Sequence, residues 1–212
     1  MDIPCILCES LNTDLLCRCD EIDYIHCNVC DLIFVAPGHR LDPDEEKSRY
    51  DLHENDPDDQ RYREFLNQLF IPLSEKLDNS LIGLDFGSGP GPTLSVMFED
   101  LGHEMNIYDP FYADDRSVFD QTYDFITTTE TAEHLFYPKK EFDLLWDCLK
   151  PGGYLGIMTK LVPSLEEFPD WHYRKDDTHV TFYSPATFRW MANQWSAEVE
   201  LIGERVAIFN KP

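Results

Sequence analysis

The stretch LDFGSGPGP, residues 84–92, decides the fold. It overlaps the apolar run of residues 81–86, which predicts a buried strand, and it leads into a predicted helix over residues 92–101. Gly87 and Gly89 allow the backbone to adopt a positive φ and to approach a ligand closely. A glycine-rich turn between a strand and a helix is typical of sites for nucleotide-like ligands.

The spacing of the glycines separates two classes of such ligands. A dinucleotide fingerprint would require a third glycine at the position of Pro92. The observed pattern is Asp-x-Gly-x-Gly-x-Gly, from Asp85 to Gly91. A nicotinamide-dependent oxidoreductase is therefore disfavoured.

Predicted strands and helices alternate on both sides of this turn. Apolar residues recur at helical spacing from Tyr62 to Leu73, and we expect Pro72 to end or kink that helix. The further predicted elements are strands over residues 105–108, 123–127 and 154–159, helices over residues 139–149 and 184–195, and paired strands over residues 199–202 and 205–209. This alternation predicts an α/β fold with a mostly parallel sheet, to which the terminal hairpin adds an antiparallel strand.

Four motifs, in the same order along the chain, resemble those of the class I S-adenosylmethionine-dependent methyltransferases. They are the glycine turn, Asp109 at the end of the second strand, the strand and Glu-His element of residues 124–135, and the Lys-Pro-Gly-Gly turn of residues 149–155. The resemblance covers residues 60–212 and implies a Rossmann-like sheet, S-adenosylmethionine as cofactor and methyltransferase activity.

The resemblance also implies which residues bind the cofactor. In this fold an acid at the position of Asp109 binds the two ribose hydroxyls. Asp85 either binds the cofactor as well or only orients the backbone of the loop. The interval between Asp109 and Tyr123 leaves room only for a short or degenerate third strand, so residues 110–112 are the candidates for selecting adenine. The expected cofactor-binding residues are Asp85, Gly87, Ser88, Gly89, Gly91, Asp109, Pro110, Thr129 and Glu130.

In such an enzyme a nucleophile of the acceptor attacks the sulfonium methyl group in line. The protein aligns the reactants and excludes water, and a base is needed only if the nucleophile is protonated. His134 is a candidate base, and its alternative is a satisfied histidine at a helix end. Glu130, Glu133 and His134 also resemble the element with which quinol O-methyltransferases can hold a divalent cation, so a catalytic cation is left open. Another alternative for the chain is a scaffold that binds the cofactor without turnover.

A long connection, residues 160–184, follows the predicted strand of residues 154–159 and is rich in aromatic residues. Loops of this length in a compact domain are usually functional or disordered, and the aromatic content argues against disorder. We expect an acceptor-pocket wall, with His172, His179 or Tyr183 as base or orienting group. Residues that would then anchor an anionic acceptor are Lys160, Arg174 and Lys175. The alternative is a packed flap whose aromatic side chains fill the core.

Six of the seven cysteines lie within the first 30 residues, which marks an N-terminal module over residues 1–37. Cys5, Cys8, Cys27 and Cys30 form two Cys-x-x-Cys pairs, a pattern that predicts a zinc-ribbon-like site. Four thiolates close a tetrahedral site, so the zinc would be structural. The alternative is a module without zinc, and the roles of Cys17 and Cys19 are left open.

An acidic connector over residues 38–60 separates this module from the methyltransferase-like part, residues 61–212. Relatives place a lid just ahead of the sheet. Tyr50, His53 and Tyr62 are therefore candidates for contact with the site, and the alternative is a solvated face.

The overall charge restricts the partners. Acidic residues outnumber basic ones 41 to 17, which gives a net charge of -24, so nucleic acids and anionic membranes are disfavoured. The chain contains no run of 18 apolar residues and does not start with the features of a signal peptide, so we expect a cytoplasmic protein. The expected partner is a small-molecule acceptor, and the sequence leaves the oligomeric state open.

Overall fold

The computed structural model of the chain describes residues 3–51 and 56–212. Its strands are β1 (Thr13–Cys19), β2 (Ile22–Cys27), β3 (Ile33–Val35), β4 (Ile82–Phe86), β5 (Glu104–Tyr108), β6 (Tyr123–Thr129), β7 (Leu149–Met158), β8 (Thr181–Phe182), β9 (Glu198–Ile202) and β10 (Val206–Asn210). Its helices are α1 (Pro43–Tyr50), α2 (Gln60–Ser74), α3 (Thr93–Asp100), α4 (Pro138–Cys148) and α5 (Pro185–Trp195). None of these helices is long and apolar enough to cross a lipid bilayer.

The central sheet has six strands in the order β5-β4-β6-β7-β10-β9. β4 pairs in parallel with β5 and β6, and β6 pairs in parallel with β7. The antiparallel hairpin of β9 and β10 joins the sheet along β7. This arrangement confirms the predicted Rossmann-like α/β fold. The connections that leave the adjacent strands β4 and β6 run in opposite directions, to β5 and to β7, so a crevice opens between the carboxyl ends of these two strands.

Helices cover both faces of the sheet. Neighbouring residues on a strand point to opposite faces, and Phe125 and Ile126 of β6 accordingly belong to two different apolar clusters. Phe125 packs in the cluster that includes Leu69 of α2 and Phe98 of α3. Ile126 belongs to the cluster that includes Phe142 of α4 and residues of α5. The site is thus built on a sheet held from both sides.

The two predicted helix boundaries have different outcomes. Ser184 caps α5 as predicted, because its hydroxyl accepts hydrogen bonds from the backbone N–H groups of Ala186 and Thr187. Pro72, however, does not end α2, which continues to Ser74. Leu73, one residue further, is completely buried against the sheet, and this packing outweighs the one hydrogen bond that a proline removes near a helix end.

The segment between β5 and β6 is as short as the sequence predicts. Within this described segment the chain forms an isolated bridge between Asp109 and Ala113 and a 3-10 helix over Arg116–Asp120, but no strand. The following strand also differs from the prediction, because β7 begins at Leu149 and runs through the Lys-Pro-Gly-Gly turn. The first residues of β7 therefore already pair with β6.

The N-terminal residues form a second sheet in the order β1-β2-β3-β8. β8 comes from the long connection after β7, and it pairs with β3 through Ile33 with Phe182 and Phe34 with Thr181. Phe34 also shares an apolar cluster with Phe142 of α4. The segment before residue 37 is therefore joined to the rest of the molecule by a shared sheet and by a shared apolar cluster.

Candidate active site

A cavity of about 690 Å³ lies at the carboxyl ends of β4, β5 and β6. The glycine turn, the loops after β5, β6 and β7, and helix α1 contribute to its walls. All residues predicted to bind the cofactor line this cavity, and so do His134 and His179. The fold therefore brings together motifs that lie far apart in the sequence, while their binding roles stay predictions.

The glycine turn requires glycine at position 87 for two reasons. Gly87 has a φ of 77° and Gly89 a φ of 65°, both in the left-handed region. A Cβ atom at Gly87 would also lie 2.3 Å from the side chain of Thr131. The Gly87 N–H donates to the Tyr108 carbonyl at 2.8 Å, which fixes the turn against the end of β5. The turn thus brings bare backbone to the cavity.

Asp109 joins the turn to the loop after β5. Its Oδ2 accepts a hydrogen bond from the Gly89 N–H at 3.0 Å. Its Oδ1 accepts from the N–H groups of Phe111, at 2.9 Å, and Tyr112, at 3.2 Å. A carboxylate offers about four acceptor positions, so one position on Oδ2 is left for a ligand in this arrangement.

Asp85 is only 2% exposed at the end of β4. Its Oδ1 accepts from the Thr127 hydroxyl at 2.8 Å, and its Oδ2 accepts from the Ser95 hydroxyl at 3.2 Å. Burial raises the pKa of Asp85 to about 6, although both hydrogen bonds act in the opposite direction. Asp85 thus ties β4 to β6 and α3 through side chains, while both of its predicted roles, cofactor binding and orienting the loop backbone, stay predictions.

Glu130 directly follows β6 and has an unusual backbone conformation, with a φ of 47°. Arg205 donates to its carboxylate from Nη1 at 3.1 Å. Burial, assisted by the nearby Glu133 carboxylate, raises the pKa of Glu130 to about 8. Glu130 lines the cavity, whereas its pairing with Arg205 could not be predicted from the sequence.

Glu133 is completely buried and lies beside Glu130 at the cavity wall. The Tyr173 hydroxyl donates to Glu133 Oε1 and also lies 3.4 Å from Glu130 Oε2. Glu133 Oε2 is buried and has no hydrogen-bond partner among the described residues. Sequence reasoning did not assign Tyr173 a role, since only the fold brings the connection after β7 against the turn after β6.

The two predicted catalytic histidines lie side by side, with ring centroids 4.8 Å apart. His134 Nδ1 lies 3.1 Å from the Thr178 carbonyl oxygen, and His179 Nδ1 lies 2.7 Å from the Tyr173 carbonyl oxygen. A carbonyl only accepts, so both Nδ1 atoms carry a proton, and in a neutral ring the lone pair is then on Nε2. Burial also lowers the pKa of His134, which favours its neutral form.

Helix α1 covers part of the cavity, where the sequence predicts a lid. The Tyr50 ring contacts the His134 ring at 5.2 Å and the Phe111 ring at 5.6 Å between centroids. The Tyr50 hydroxyl donates to Glu46, four residues earlier on the same helical face, at 2.6 Å. Tyr62 also lines the cavity. The third lid candidate, His53, lies outside the described residues.

Tyr183 is not where an acceptor-binding residue would be. Its side chain is completely buried, and it is not among the residues that line the cavity. Its hydroxyl donates to the Ala132 carbonyl at 3.0 Å, and its ring stacks on Phe188 at 5.3 Å. The proposed catalytic role of Tyr183 disagrees with this position, because the side chain fills the core under the turn after β6.

The basic residues predicted to anchor an anionic acceptor also lie elsewhere. Arg174 is buried and donates to Asp20 of the N-terminal part at 3.0 Å and to the Pro169 carbonyl at 2.7 Å. Lys175 is exposed, and Lys160 lies 3.5 Å from His172 through Nζ and Nε2. Neither Arg174 nor the two lysines line the cavity. The argument for an anionic acceptor therefore loses its structural basis.

The four predicted zinc ligands lie together near the amino terminus. Their sulfur atoms all lie within 4.8 Å of one another, with 3.5 Å between Cys5 and Cys30 and 3.4 Å between Cys8 and Cys27. A tetrahedral site with zinc–sulfur bonds of about 2.3 Å needs sulfur separations of roughly 3.8 Å. The cluster therefore has the size that a zinc ion requires. Cys17 and Cys19 lie apart from it, with their own sulfur atoms 3.3 Å apart.

Comparisons with known proteins place the chain among the methyltransferases. In fold it is similar to an O-methyltransferase family protein from Burkholderia thailandensis, with 15% identity and a TM-score of 0.52 over 78% of this chain and 62% of that chain. A TehB-like SAM-dependent methyltransferase from Corynebacterium glutamicum is 15% identical, with a TM-score of 0.50 over 81% of this chain and 100% of that chain. DesVI from Streptomyces venezuelae is 10% identical, with a TM-score of 0.53 over 82% and 100%.

At these identities the solved structures establish the fold alone. No curated protein sequence matches the chain significantly. A family model described as "Methyltransferase domain" matches residues 58–200, which is more than half of the chain. The chain therefore belongs to the methyltransferase domain family, as its resemblance to the class I S-adenosylmethionine-dependent methyltransferases predicted.

Proposed function

We propose that the protein transfers a methyl group from S-adenosylmethionine to an acceptor held in the same cavity. The observation that carries the proposal is that the glycine turn and Asp109 share one cavity with His134 and His179. Bound S-adenosylmethionine supplies a methyl group on a sulfonium, which is a good leaving group. The protein's tasks are to hold this cofactor, to align the acceptor and to keep water out.

The residues around the turn fit the cofactor. Gly87 lines the cavity, and only glycine fits there, because a Cβ atom would collide with the Thr131 side chain. Asp109 keeps an acceptor position on Oδ2 for a ribose hydroxyl. Phe111 and Tyr112 lie beside it as candidates for contact with adenine, and Tyr50 covers the cavity from α1. These positions support cofactor binding at this end of the sheet.

We assign to His134 and His179 the task of accepting a proton from the acceptor. Both rings are fixed by a hydrogen bond from Nδ1 to a backbone carbonyl, so the neutral form of each ring has its lone pair on Nε2. The simplest role is that of a general base toward a protonated nucleophile. Tyr183, which is buried away from the cavity, has no part in this proposal.

The charge of the cavity favours a neutral or positively charged acceptor. Of the described residues that line it, Arg116 is the only arginine or lysine. The carboxylates among them are Glu46, Asp85, Asp109, Glu130, Glu133, Glu141 and Asp176. An anionic acceptor would be repelled by those of these groups that are ionised, and Arg116 alone among the lining lysines and arginines would offset this repulsion. The volume of about 690 Å³ lies in the usual range for small-molecule sites.

A zinc ion at Cys5, Cys8, Cys27 and Cys30 is the second part of the proposal. The closeness of the four sulfur atoms supports it. Backbone N–H groups of Leu7 and Cys8 point to Cys5 Sγ at 3.5 Å, so the thiolate would be stabilised from the protein side as well. With four thiolate ligands the zinc would hold the fold together and take no part in methyl transfer.

Binding of S-adenosylhomocysteine tests the cofactor site directly. We expect this product to raise the melting temperature, whereas NAD leaves it unchanged. Gly87→Ala should remove most of the shift, because the added Cβ collides with Thr131. Gly38→Ala is the matched control, since nothing lies within 4 Å of a Cβ at that position. A shift with NAD alone, or equal shifts in both variants, would contradict the proposed cofactor site.

Turnover separates the enzyme from a scaffold. Protein incubated with methyl-labelled S-adenosylmethionine and a small-molecule cell extract should pass label to a component of the extract. Binding of the cofactor without any transfer, across extracts and purified neutral and cationic acceptors, would instead support the scaffold alternative.

A further inference from the structure

One carboxylate oxygen of Glu133 is left unsatisfied by the described residues. Glu133 lines the cavity and is completely buried. The Tyr173 hydroxyl donates to its Oε1, whereas its Oε2 has no hydrogen-bond partner among the described residues. A buried carboxylate oxygen without a donor costs free energy, so a cavity-bound group that donates to Oε2 would recover this cost.

The cationic side chains near this carboxylate are engaged elsewhere. Arg205 donates to the neighbouring Glu130 from Nη1 at 3.1 Å. Arg116 is the only lysine or arginine among the described residues that line the cavity, and its Nη1 lies 3.2 Å from the Tyr108 hydroxyl at the end of β5. Buried charges in proteins are usually paired, so the group that Glu133 calls for is a cation as well as a hydrogen-bond donor.

The surroundings of this carboxylate suit a cation. The Tyr50 ring lies 5.2 Å from the His134 ring, and the Tyr173 ring lies 4.3 Å from the His179 ring, between centroids. A second carboxylate is close, because Asp176 Oδ2 lies 4.0 Å from His179 Nε2. Both the faces of tyrosine rings and carboxylates attract an ammonium group.

We propose that the methyl acceptor is an amine and that Glu133 Oε2 accepts a hydrogen bond from its ammonium group. One carboxylate oxygen of Glu133 and one ring nitrogen each of His134 and His179 lie within 4.8 Å of one another, so one small group can reach all three side chains. An alkylammonium has several N–H donors, so it can donate to Glu133 and still give a proton to a histidine. A hydroxyl has a single proton and can do only one of the two.

Methyl transfer to an ammonium requires that one proton leaves first. The ammonium gives this proton to Nε2 of neutral His134 or His179, and the freed lone pair on nitrogen forms the bond to the methyl carbon. The bond from that carbon to sulfur breaks, and its electron pair stays on sulfur in S-adenosylhomocysteine. The product is a methylated ammonium, which still donates to Glu133. This step rests on the proposed function, whereas the binding of an amine does not.

Matched amines and alcohols test the assignment on the full-length protein. The protein is saturated with S-adenosylhomocysteine, and its melting temperature is measured against increasing 2-phenylethylamine or 2-phenylethanol, and against butylamine or 1-butanol, at pH 7. We expect each amine to raise the melting temperature at a concentration about tenfold or more below that of its alcohol, because hydrogen bonds between charged groups are the stronger ones.

Variants assign this preference to one residue. Glu133→Gln keeps the shape of the side chain but loses the charge, so amine and alcohol should become about equal. Glu141→Gln is the matched control, because Glu141 also lines the cavity but lies on α4, 4.0 Å from Lys140 Nζ, and it should keep the preference. If Glu133→Gln does not fold, Glu133→Asp replaces it, since the shorter side chain draws the carboxylate back and should weaken the amines more than the alcohols.

Three results would overturn the amine site. The first is a wild-type protein that binds the amines no better than the alcohols. The second is an unchanged preference in the Glu133 variant, which would place the ammonium on other carboxylates. The third is label from methyl-labelled S-adenosylmethionine that appears only in extract components that a cation exchanger does not retain at pH 7. Amine binding without transfer to any acceptor would count against the proposed function alone, and calorimetry with S-adenosylhomocysteine shows separately whether the cofactor site is intact.

Discussion

At the scale of single residues, Asp109 shows how one carboxylate can serve both the fold and a ligand. It accepts three backbone hydrogen bonds, from Gly89, Phe111 and Tyr112, and so shapes two loops at once. Only one acceptor position on Oδ2 is left in this arrangement. A ribose whose two hydroxyls both donate to Asp109, as the resemblance implies, would have to displace one of these N–H groups.

The variant Asp109→Asn tests the role of the charge with little change in shape. The amide keeps one oxygen as acceptor but loses the charge and the second acceptor. A hydrogen bond to a charged group contributes about 1.5–3 kcal/mol, so we expect S-adenosylhomocysteine to bind about ten- to hundredfold more weakly in calorimetry.

Asp120→Asn is the control for this substitution, because Asp120 is exposed and does not line the cavity. This variant also loses one negative charge from the same loop, and it should bind S-adenosylhomocysteine with the affinity of the wild type. Equal affinity of the two variants would show that Asp109 organises the loops without touching the cofactor.

Individual residues also show where prediction from the sequence ends. The nine residues predicted to bind the cofactor, from Asp85 to Glu130, all line the cavity, because they lie at or just after the carboxyl ends of β4, β5 and β6. Within the connection after β7, the sequence could not tell His179, at the cavity, from Tyr183, in the core. That difference depends on pairing with distant segments, and the sequence carries no local signal for it.

At the scale of elements, β8 is the piece that joins the N-terminal sheet to the candidate site. The Val35 N–H donates to the Val180 carbonyl at 2.9 Å, and the Val180 N–H donates to the Glu133 carbonyl at 2.8 Å. Residue 180 therefore lies between β3 and the turn after β6. The adjacent His179 is placed against His134 by these two backbone contacts.

Arg174 holds the same connection from its other end. The buried guanidinium bonds the Pro169 carbonyl at 2.7 Å and Asp20 at 3.0 Å, and it lies over the Tyr24 ring. Arg174→Ala would leave the Pro169 carbonyl unpaired, so we expect a loss of about 1–3 kcal/mol in the free energy of unfolding by chemical denaturation.

Lys175→Ala is the matched control, since Lys175 is exposed on the neighbouring position. Surface substitutions usually change stability by less than about 0.5 kcal/mol. S-adenosylhomocysteine affinity should be unchanged in both variants. Loss of acceptor turnover in Lys175→Ala, with stability and S-adenosylhomocysteine affinity unchanged, would restore the anionic anchor that the sequence suggested.

At the scale of the whole molecule, the two parts predicted from the sequence are one packing unit. The skew of the cysteines indicated a separate module, and composition cannot show that its third strand pairs with residues near 181. Cys5 and Cys30 also lie in the same apolar cluster as Tyr183 and Phe188. The main sheet was predictable because its strands follow each other with helices between them, whereas this junction is non-local.

Because of that junction, we expect the loss of zinc to affect the connection after β7 as well as the cysteine cluster. Elemental analysis should give one zinc per chain, because four thiolates close the site. A module of this size has little core of its own, so removing the metal should unfold β1 to β3. Since β3 pairs with β8, we expect hydrogen exchange to quicken also over residues 171–183, while β4 to β6 stay protected.

Cys27→Ser should reproduce the effect of zinc removal, and Cys148→Ser should not, because Cys148 is a buried cysteine outside the cluster. We expect the effect to reach the connection after β7 because backbone contacts run from Val35 through Val180 to the turn that carries Glu133 and His134. Fast exchange confined to residues 5–35 would show that the connection after β7 keeps its place unaided. Slow exchange throughout in metal-free protein would mean that the cysteine cluster folds without zinc.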